Sequence, residues 1–169
     1  MKNAIFLTLM LVLFSCNRIE PSGFWADYHK DYLKKHLNNQ ELRGGYRAVY
    51  WKADSLNTFN PNEIIEYATK KGWSFVDSVN ISNEDLKAWQ GVNGLFFPLS
   101  SDGFNKNPTT QHNEYECFFS WINTEQNIYM FKTGWIMIEQ GTDESNDVNG
   151  FVVISNKGDE MSVYHLWGE

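Results

Sequence analysis

A single α+β domain is the fold this sequence predicts, with an antiparallel-rich sheet of about five or six strands and two or three helices. Three observations carry that prediction. The last third of the chain holds apolar strand-like runs joined by tight polar turns, as in antiparallel β structure. The middle third holds two helical stretches with capping signals. The composition, 42% hydrophobic and 16% aromatic, is that of a folded globule.

Each element follows from local chemistry. Residues 23–37 read as an amphipathic helix capped by Ser22. Phe24, Trp25, Tyr28, Tyr32, Leu33 and Leu37 recur at helical spacing, opposite Asp27, Lys30, Asp31, Lys34 and Lys35. Gly44-Gly45 punctuates the chain. Residues 46–52 read as a strand, with Tyr46, Ala48 and Tyr50 on one face and Arg47, Val49 and Trp51 on the other. In Asn60-Pro61-Asn62-Glu63, Asn60 is an N-cap, Pro61 sits at the first helical position and Glu63 completes a capping box. Ile64, Ile65 and Ala68 give that helix its buried stripe, and Gly72 is its left-handed C-cap. Residues 73–79 read as the next strand. The run 46–79 fits either a parallel crossover or an α+β excursion. Ser82 caps a short helix over 83–90, with Asp85 at its third position and Leu86 and Trp89 facing inward. Residues 91–113 read as a long irregular loop. Strands follow over 114–122 and 127–139, then a hairpin of 151–155 and 161–167 across Asn156-Lys157-Gly158-Asp159. Both faces of 127–139 are apolar, as in a central strand, and Gly134 marks a bend.

The first sixteen residues carry a different signal. Lys2 is followed by an apolar run from Ile5 to Phe14, broken only by Thr8, and then by the small Ser15. About ten apolar residues reach only ~15 Å as a helix, about half of a bilayer's hydrocarbon core. The run is therefore a leader and not a span. Leu13-Phe14-Ser15-Cys16 resembles the lipobox of bacterial lipoproteins. That resemblance implies a diacylglyceryl group on the Cys16 thiol, cleavage just before Cys16, and acylation of the new N-terminus. Phe14 stands where the family more commonly has a small or β-branched residue. Two or more acyl chains, at about 0.8 kcal/mol per buried CH₂, give stable anchoring where one does not. The implied organisation is a signal peptide over 1–15, a lipidated tether over 16–22, and the domain over 23–169. Asn17-Arg18-Ile19-Glu20 has neither the Asp of an inner-membrane retention signal nor a dense acidic export run. The resemblance therefore implies a lipid-anchored position on the outer membrane, facing the periplasm of a Gram-negative bacterium.

Removing 15 of the 169 residues leaves 154, enough for one domain with a proper core. Lys2 leaves with the leader, so the formal charge goes from −7 to −8. An acidic chain argues against nucleic acid as a partner and against adhesion to anionic lipid by net charge. Membrane attachment then rests on the acyl chains. With Cys16 lipidated, Cys117 is the other cysteine and no intrachain disulfide can form.

No motif for catalysis, a cofactor or a metal stands out. Cys117 with His112 is the composition of a thiol nucleophile and base, but Cys117 shares a strand face with Tyr115, Phe119 and Trp121, where apolar surroundings blunt a thiol. The acidic loop 140–150 carries Asp143, Glu144, Asp147 and Asn149, and oxygen ligands at 143, 145, 147 and 149 are spaced like half of a calcium loop. Val148 stands where such a loop needs Gly and Ile154 where it needs Glu, so a solvated hairpin loop is expected. His29, His36, His112 and His165 are scattered, and Glu114 and Glu116 read as a solvent-facing strand pair. Seven Trp, eight Tyr and twelve Phe are more than a core of this size obviously needs. The candidate binding surface is the loop holding Phe96, Phe97 and Phe104, weighed against a plug for one end of the sheet. The expected function is a non-catalytic, envelope-associated module that binds a protein partner. The alternatives are a binder of sugars or small apolar ligands through exposed aromatics, and an enzyme with an unrecognised site.

Overall fold

The computed structural model describes residues 21–40, 44–91, 94–95, 99–100, 103–104, 121, 124–134 and 148–168. Two 3-10 turns (Gly23–Asp27 and Lys30–Tyr32) lead into β1 (Leu33–Gln40) and β2 (Gly44–Lys52). Next come α1 (Pro61–Lys70), β3 (Ser74–Ile81) and α2 (Asn83–Trp89). Four two-residue strands follow: β4 (Gln90–Gly91), β5 (Gly94–Leu95), β6 (Leu99–Ser100) and β7 (Gly103–Phe104). The last elements are β8 (Gln126–Lys132), β9 (Gly150–Ser155) and β10 (Glu160–Gly168). One antiparallel six-stranded sheet, in the order β1-β2-β10-β9-β8-β3, holds the long strands. The pairs β4-β5 and β6-β7 stand apart as short hairpins. The fold is thus sheet-rich, with few helices.

The capping chemistry forms as the sequence implies. Asn60 Oδ1 accepts from the Asn62 N–H at 3.0 Å, and Asn60 Nδ2 donates to Glu63 Oε1 at 3.3 Å, so Glu63 meets the cap's side chain. Ser82 and Asp85 form a reciprocal box: the Ser82 N–H donates to Asp85 Oδ2 and the Asp85 N–H to Ser82 Oγ. Gly72 closes α1 at φ 96°. The hairpin between β9 and β10 turns at Gly158, φ 74°, whose N–H donates to Ser155 O at 2.8 Å. β2 and β3 run in the same direction but stand three strands apart, so α1 makes an excursion across the sheet and not a crossover between neighbours.

The helix expected over 23–37 does not form. Ser22 sits in the left-handed region at φ 56° and makes no side-chain cap, and His29 at φ 40° breaks the run again. The aromatic residues still face one way, because 3-10 turns also return every third side chain to the same side. From Leu33 onward the backbone pairs with β2 as an edge strand, in register from Leu33 with Trp51 to Gln40 with Gly45. Sheet hydrogen bonds outweigh the weak helical preference of Lys34, Lys35 and His36 on that edge. Of the strand expected over 127–139, the described part ends at Lys132, and Gly134 follows at φ 75°. The strand expected over 114–122 lies outside the described residues except for Trp121, which sits in a helical turn.

Alternation divides the sheet into two covered faces. On the first, Val49, Trp51, Phe131, Val152, Ile154, Met161 and Val163 pack under α1 and the 3-10 turns. Trp25 is wholly buried there, ringed by Phe24, Tyr28, Trp51, Tyr67 and Trp73 at centroid distances of 5.3–6.2 Å. Trp51 Nε1 donates to Tyr28 O at 2.7 Å and the Tyr67 hydroxyl to Phe24 O at 2.7 Å, so the aromatic cluster also fastens the entering chain. On the second face, Ala48, Ile81, Leu86, Leu99, Trp121, Ile128, Phe151, Val153 and Tyr164 form another core. Full burial of side chains this large is worth roughly 1.5–3 kcal/mol each, so the two faces supply most of what holds the fold.

The strand registers also define two ends. Gln40, Gly45, Gly150, Lys132 and Ser74 meet at one, called the near end because the chain enters there. Leu33, Lys52, Ser155, Gln126 and Ile81 meet at the far end.

Candidate functional site

Two polar clusters lie at opposite ends of the sheet. The near-end cluster is buried. His165 is the polar exception on the first face of β10, in register with Arg47 on β2 and Gly150 on β9. Its Nδ1 lies 2.8 Å from Ser22 Oγ and its Nε2 lies 2.9 Å from Thr133 Oγ1. The Thr133 hydroxyl and backbone N–H both donate to Asn149 Oδ1, at 3.0 and 3.3 Å, and Asn149 Nδ2 donates to Leu166 O at 3.0 Å. The imidazole packs against Trp73 (5.4 Å) and Trp167 (5.0 Å). Gly150 is required beside it: a β-carbon there would fall 2.6 Å from Thr133 Cγ2 and 2.8 Å from Trp73 Cζ3.

A serine hydroxyl against an imidazole is the geometry of an activated nucleophile. Here it does other work. Ser22 is 6% exposed and His165 is wholly buried, so no substrate carbonyl reaches the hydroxyl. The ring's second nitrogen meets a threonine hydroxyl, where a nucleophile's base is usually oriented by a carboxylate. The Ser22 hydroxyl also stands 2.6 Å from Pro21 O. Pro21 O, Ser22, His165, Thr133 and Asn149 thus form a chain of four contacts, and with a neutral ring Ser22, His165 and Thr133 bring three protons to it. The arrangement is a latch that fixes the first described residues to the end of the sheet.

The far-end cluster is open. A cleft of about 330 Å³ is lined by Asn83, Thr124, Glu125, Ser155, Asn156, Lys157, Asp159 and Glu160. The β9–β10 hairpin supplies one wall, and the turns after β3 and before β8 supply the other. Glu125 cross-links the walls, accepting from Asn83 Nδ2 at 2.8 Å and Asn156 Nδ2 at 3.3 Å. Ser155 Oγ donates to Asp159 Oδ1 at 2.8 Å. Glu160 Oε1 accepts from the Tyr50 hydroxyl at 2.6 Å and from Lys52 Nζ at 3.1 Å. Burial, together with that carboxylate beside it, raises the Tyr50 phenol well above its ordinary pKa. Gln126 stands next to Ser155 in register, is fully buried, and has no hydrogen-bond partner for Nε2 or Oε1 among the described residues. The cleft therefore sets carboxylates, amides and two hydroxyls around one lysine, a lining suited to hydrogen-bond donors and cationic groups and not to apolar ligands.

The residues singled out from sequence scatter differently. Cys16, Phe96, Phe97, His112, Glu114, Glu116, Cys117, Asp143, Glu144 and Asp147 lie outside the described residues. Phe104 belongs to β7, paired with Leu99, but its side chain lies outside the description. Leu99 of the same loop is buried in the second core. His29 and His36 are exposed on separate elements. Asn149 is spent in the near-end latch. Among the described residues no group of three His, Cys, Asp or Glu side chains is placed to hold a metal ion, and no helix is long and apolar enough to cross a membrane. Comparison with protein-family models, with curated proteins and with solved structures gave no match.

Sequence reading missed both clusters as clusters. Ser22 and His165 are 143 positions apart, so no spacing links them. The one signal was a histidine inside an otherwise apolar strand. The cleft's hairpin wall, Asn156-Lys157-Gly158-Asp159, was legible only as a turn.

Proposed function

We propose that this chain is an exported lipoprotein, held on a membrane through acyl chains on Cys16, whose α+β domain is a non-catalytic module that binds an envelope protein partner. The observation that carries this reading is the opposition of anchor and cleft. The lipobox-like leader feeds the chain into the near end, where Ser22 is latched to His165, and the carboxylate-lined cleft opens at the far end. A partner can meet that cleft without displacing lipid. Glu125, Asp159 and Glu160 against Lys157 favour a partner presenting basic side chains, in keeping with a mature charge of −8. The outer membrane, on its periplasmic side, remains the proposed location.

The test is capture of partners from solubilised envelopes with the full chain, followed by the same capture with Thr124→Arg. That substitution puts a cation on the exposed cleft wall and leaves both cores alone. A stoichiometric basic companion held by the parent and lost from the variant supports the reading. No stoichiometric companion, or capture indifferent to Thr124→Arg, overturns it. Cys16→Ser tests the anchor separately: the reading requires that variant to leave the membrane fraction or to remain unprocessed.

A further inference from the structure

We infer that the near end of the sheet rests against the bilayer that carries the anchor, with Phe75 and Val76 entering the headgroup layer beside Lys71. The inference rests on the proposed lipid at Cys16. Its structural basis is the exposed apolar surface. Leu56, Phe75 and Val76 are the large hydrophobic side chains left exposed among the described residues, at 94, 41 and 43%. Phe75 and Val76 are consecutive and lie in the first turn of backbone after Trp73, whose ring touches His165. Leu56 lies at the other end, in the loop after β2.

Phe75 is held firmly. Its ring stands edge-on to Phe131 at 5.7 Å, leaving its outer side to solvent. Val76 is the residue by which the β3–β8 register slips between Phe75 and Asp77, and a bulge of this kind re-aims its side chain off the ladder. Lys71 is the exposed C-cap of α1, just before Gly72 and Trp73, with its Nζ 6.0 Å from the centre of the Tyr67 ring. Apolar side chains beside an exposed lysine fit the headgroup layer, where the chains meet hydrocarbon and the ammonium group meets phosphate. The nearby Asp77 carboxylate turns back to accept from the Ser78 N–H at 2.7 Å.

Chain length then restricts which side faces lipid. Five residues lie between Cys16 and Ser22, so the six steps of the tether span at most about 20 Å however it is arranged. A domain of this size has a radius of gyration of about 15 Å and is roughly twice that across. Ser22 is latched beside His165 and Trp73, so the tether starts at the near end and is too short to pass round the domain. The far end, with its cleft, is thereby turned to solvent.

The experiment uses the full, processed, lipidated chain in vesicles of phosphatidylethanolamine and phosphatidylglycerol. Spin labels are placed by Phe75→Cys, Val76→Cys or Leu56→Cys in a Cys117→Ala background. Accessibility to oxygen and to a water-soluble nickel chelate is compared between positions. The inference expects labels at 75 and 76 to lose nickel access several-fold relative to 56 and to gain oxygen access. Val76→Cys provides the reading if Phe75→Cys weakens packing on Phe131. Equal nickel access at all three positions on vesicle-bound protein overturns the inference while leaving the anchor standing. Nickel shielding without oxygen gain, accompanied by dipolar broadening between copies, overturns it in favour of a second copy on β3. Absence of acyl mass on Cys16 with failure to float overturns the anchor itself, and this surface with it.

Discussion

At the near end, two hydroxyls, a carboxamide and an imidazole are packed out of water, with the buried Arg47 alongside; at the far end, three carboxylates stand in an open cleft. The difference follows the cost of removing each group from water. An uncharged polar group can be buried for little if its hydrogen bonds are met inside, whereas an isolated carboxylate cannot. For its uncharged groups the near end meets that condition with contacts of 2.8–3.3 Å, and so serves as structure. The far end keeps its carboxylates partly exposed, each steadied by neighbouring donors, so a partner's cations meet charges already held in place.

The comparison breaks most sharply at His165. His165→Leu keeps bulk but leaves the Ser22 and Thr133 hydroxyls buried without the imidazole. Each such loss costs about 1–3 kcal/mol, so a destabilisation of about 3 kcal/mol is expected in denaturant unfolding. Glu125→Gln at the solvated far end should cost under about 1 kcal/mol by the same measurement. Equal effects would dissolve the distinction between the two ends.

Glycines give the next test. Gly150→Ala forces a β-carbon onto Thr133 and Trp73, neither of which can yield within a packed first face, and should cost about 2 kcal/mol. Gly158→Ala at the far end meets only Thr58 Cβ at 3.1 Å but must hold φ at 74°, which costs about 1 kcal/mol. Thermal unfolding midpoints of the two variants should fall in that order.

How much of this was legible in the sequence depends on the range of the interaction. The caps at Asn60 and Ser82, the C-cap at Gly72 and the turn at Gly158 are decided within four residues, and all formed. The two faces of β2 were legible because alternation is also local. The stretch from Gly23 to Leu37 was misread because spacing fixes which side chains face the core but not the backbone that delivers them. What decided it was the pairing of Leu33 to Gln40 with β2, and the left-handed turns at Ser22 and His29. Neither cluster was legible as a site. The latch joins residues from the first and last elements, and the cleft joins turns whose composition says only that they are exposed.

Ser22 offers a finer test of the near end. Both Ser22→Ala and Ser22→Gly remove the hydroxyl from His165, at a cost of about 1–2 kcal/mol. Only glycine accepts φ near 56° without strain, so Ser22→Gly should be the milder variant by up to about 1 kcal/mol. If the two variants unfold alike, the left-handed turn at the entry stores no strain.

The smallest effect is silent at neutral pH and appears only in alkali. Burial in the aromatic cluster, with Glu63 and Tyr67 adding smaller contributions, pushes the Tyr28 phenol up to about 12. The unfolded chain ionises this group near its ordinary value of 10.0. The folded value is the higher one, so the contribution is fully present below pH 10 and is lost as pH rises toward 12. Tyr28→Phe should therefore leave stability unchanged at neutral pH and flatten its decline over that alkaline window. Tyr50 supplies the far-end contrast, because its hydroxyl donates to Glu160 in addition to being desolvated. Glu160→Gln should bring Tyr50 ionisation back toward the ordinary range in an absorbance titration and leave Tyr28 where it is. If both phenols moved together, desolvation and carboxylate proximity would not be separable between the covered face and the cleft. If only Tyr50 moves, exclusion of water raises both phenols and the carboxylate adds to it at the far end alone.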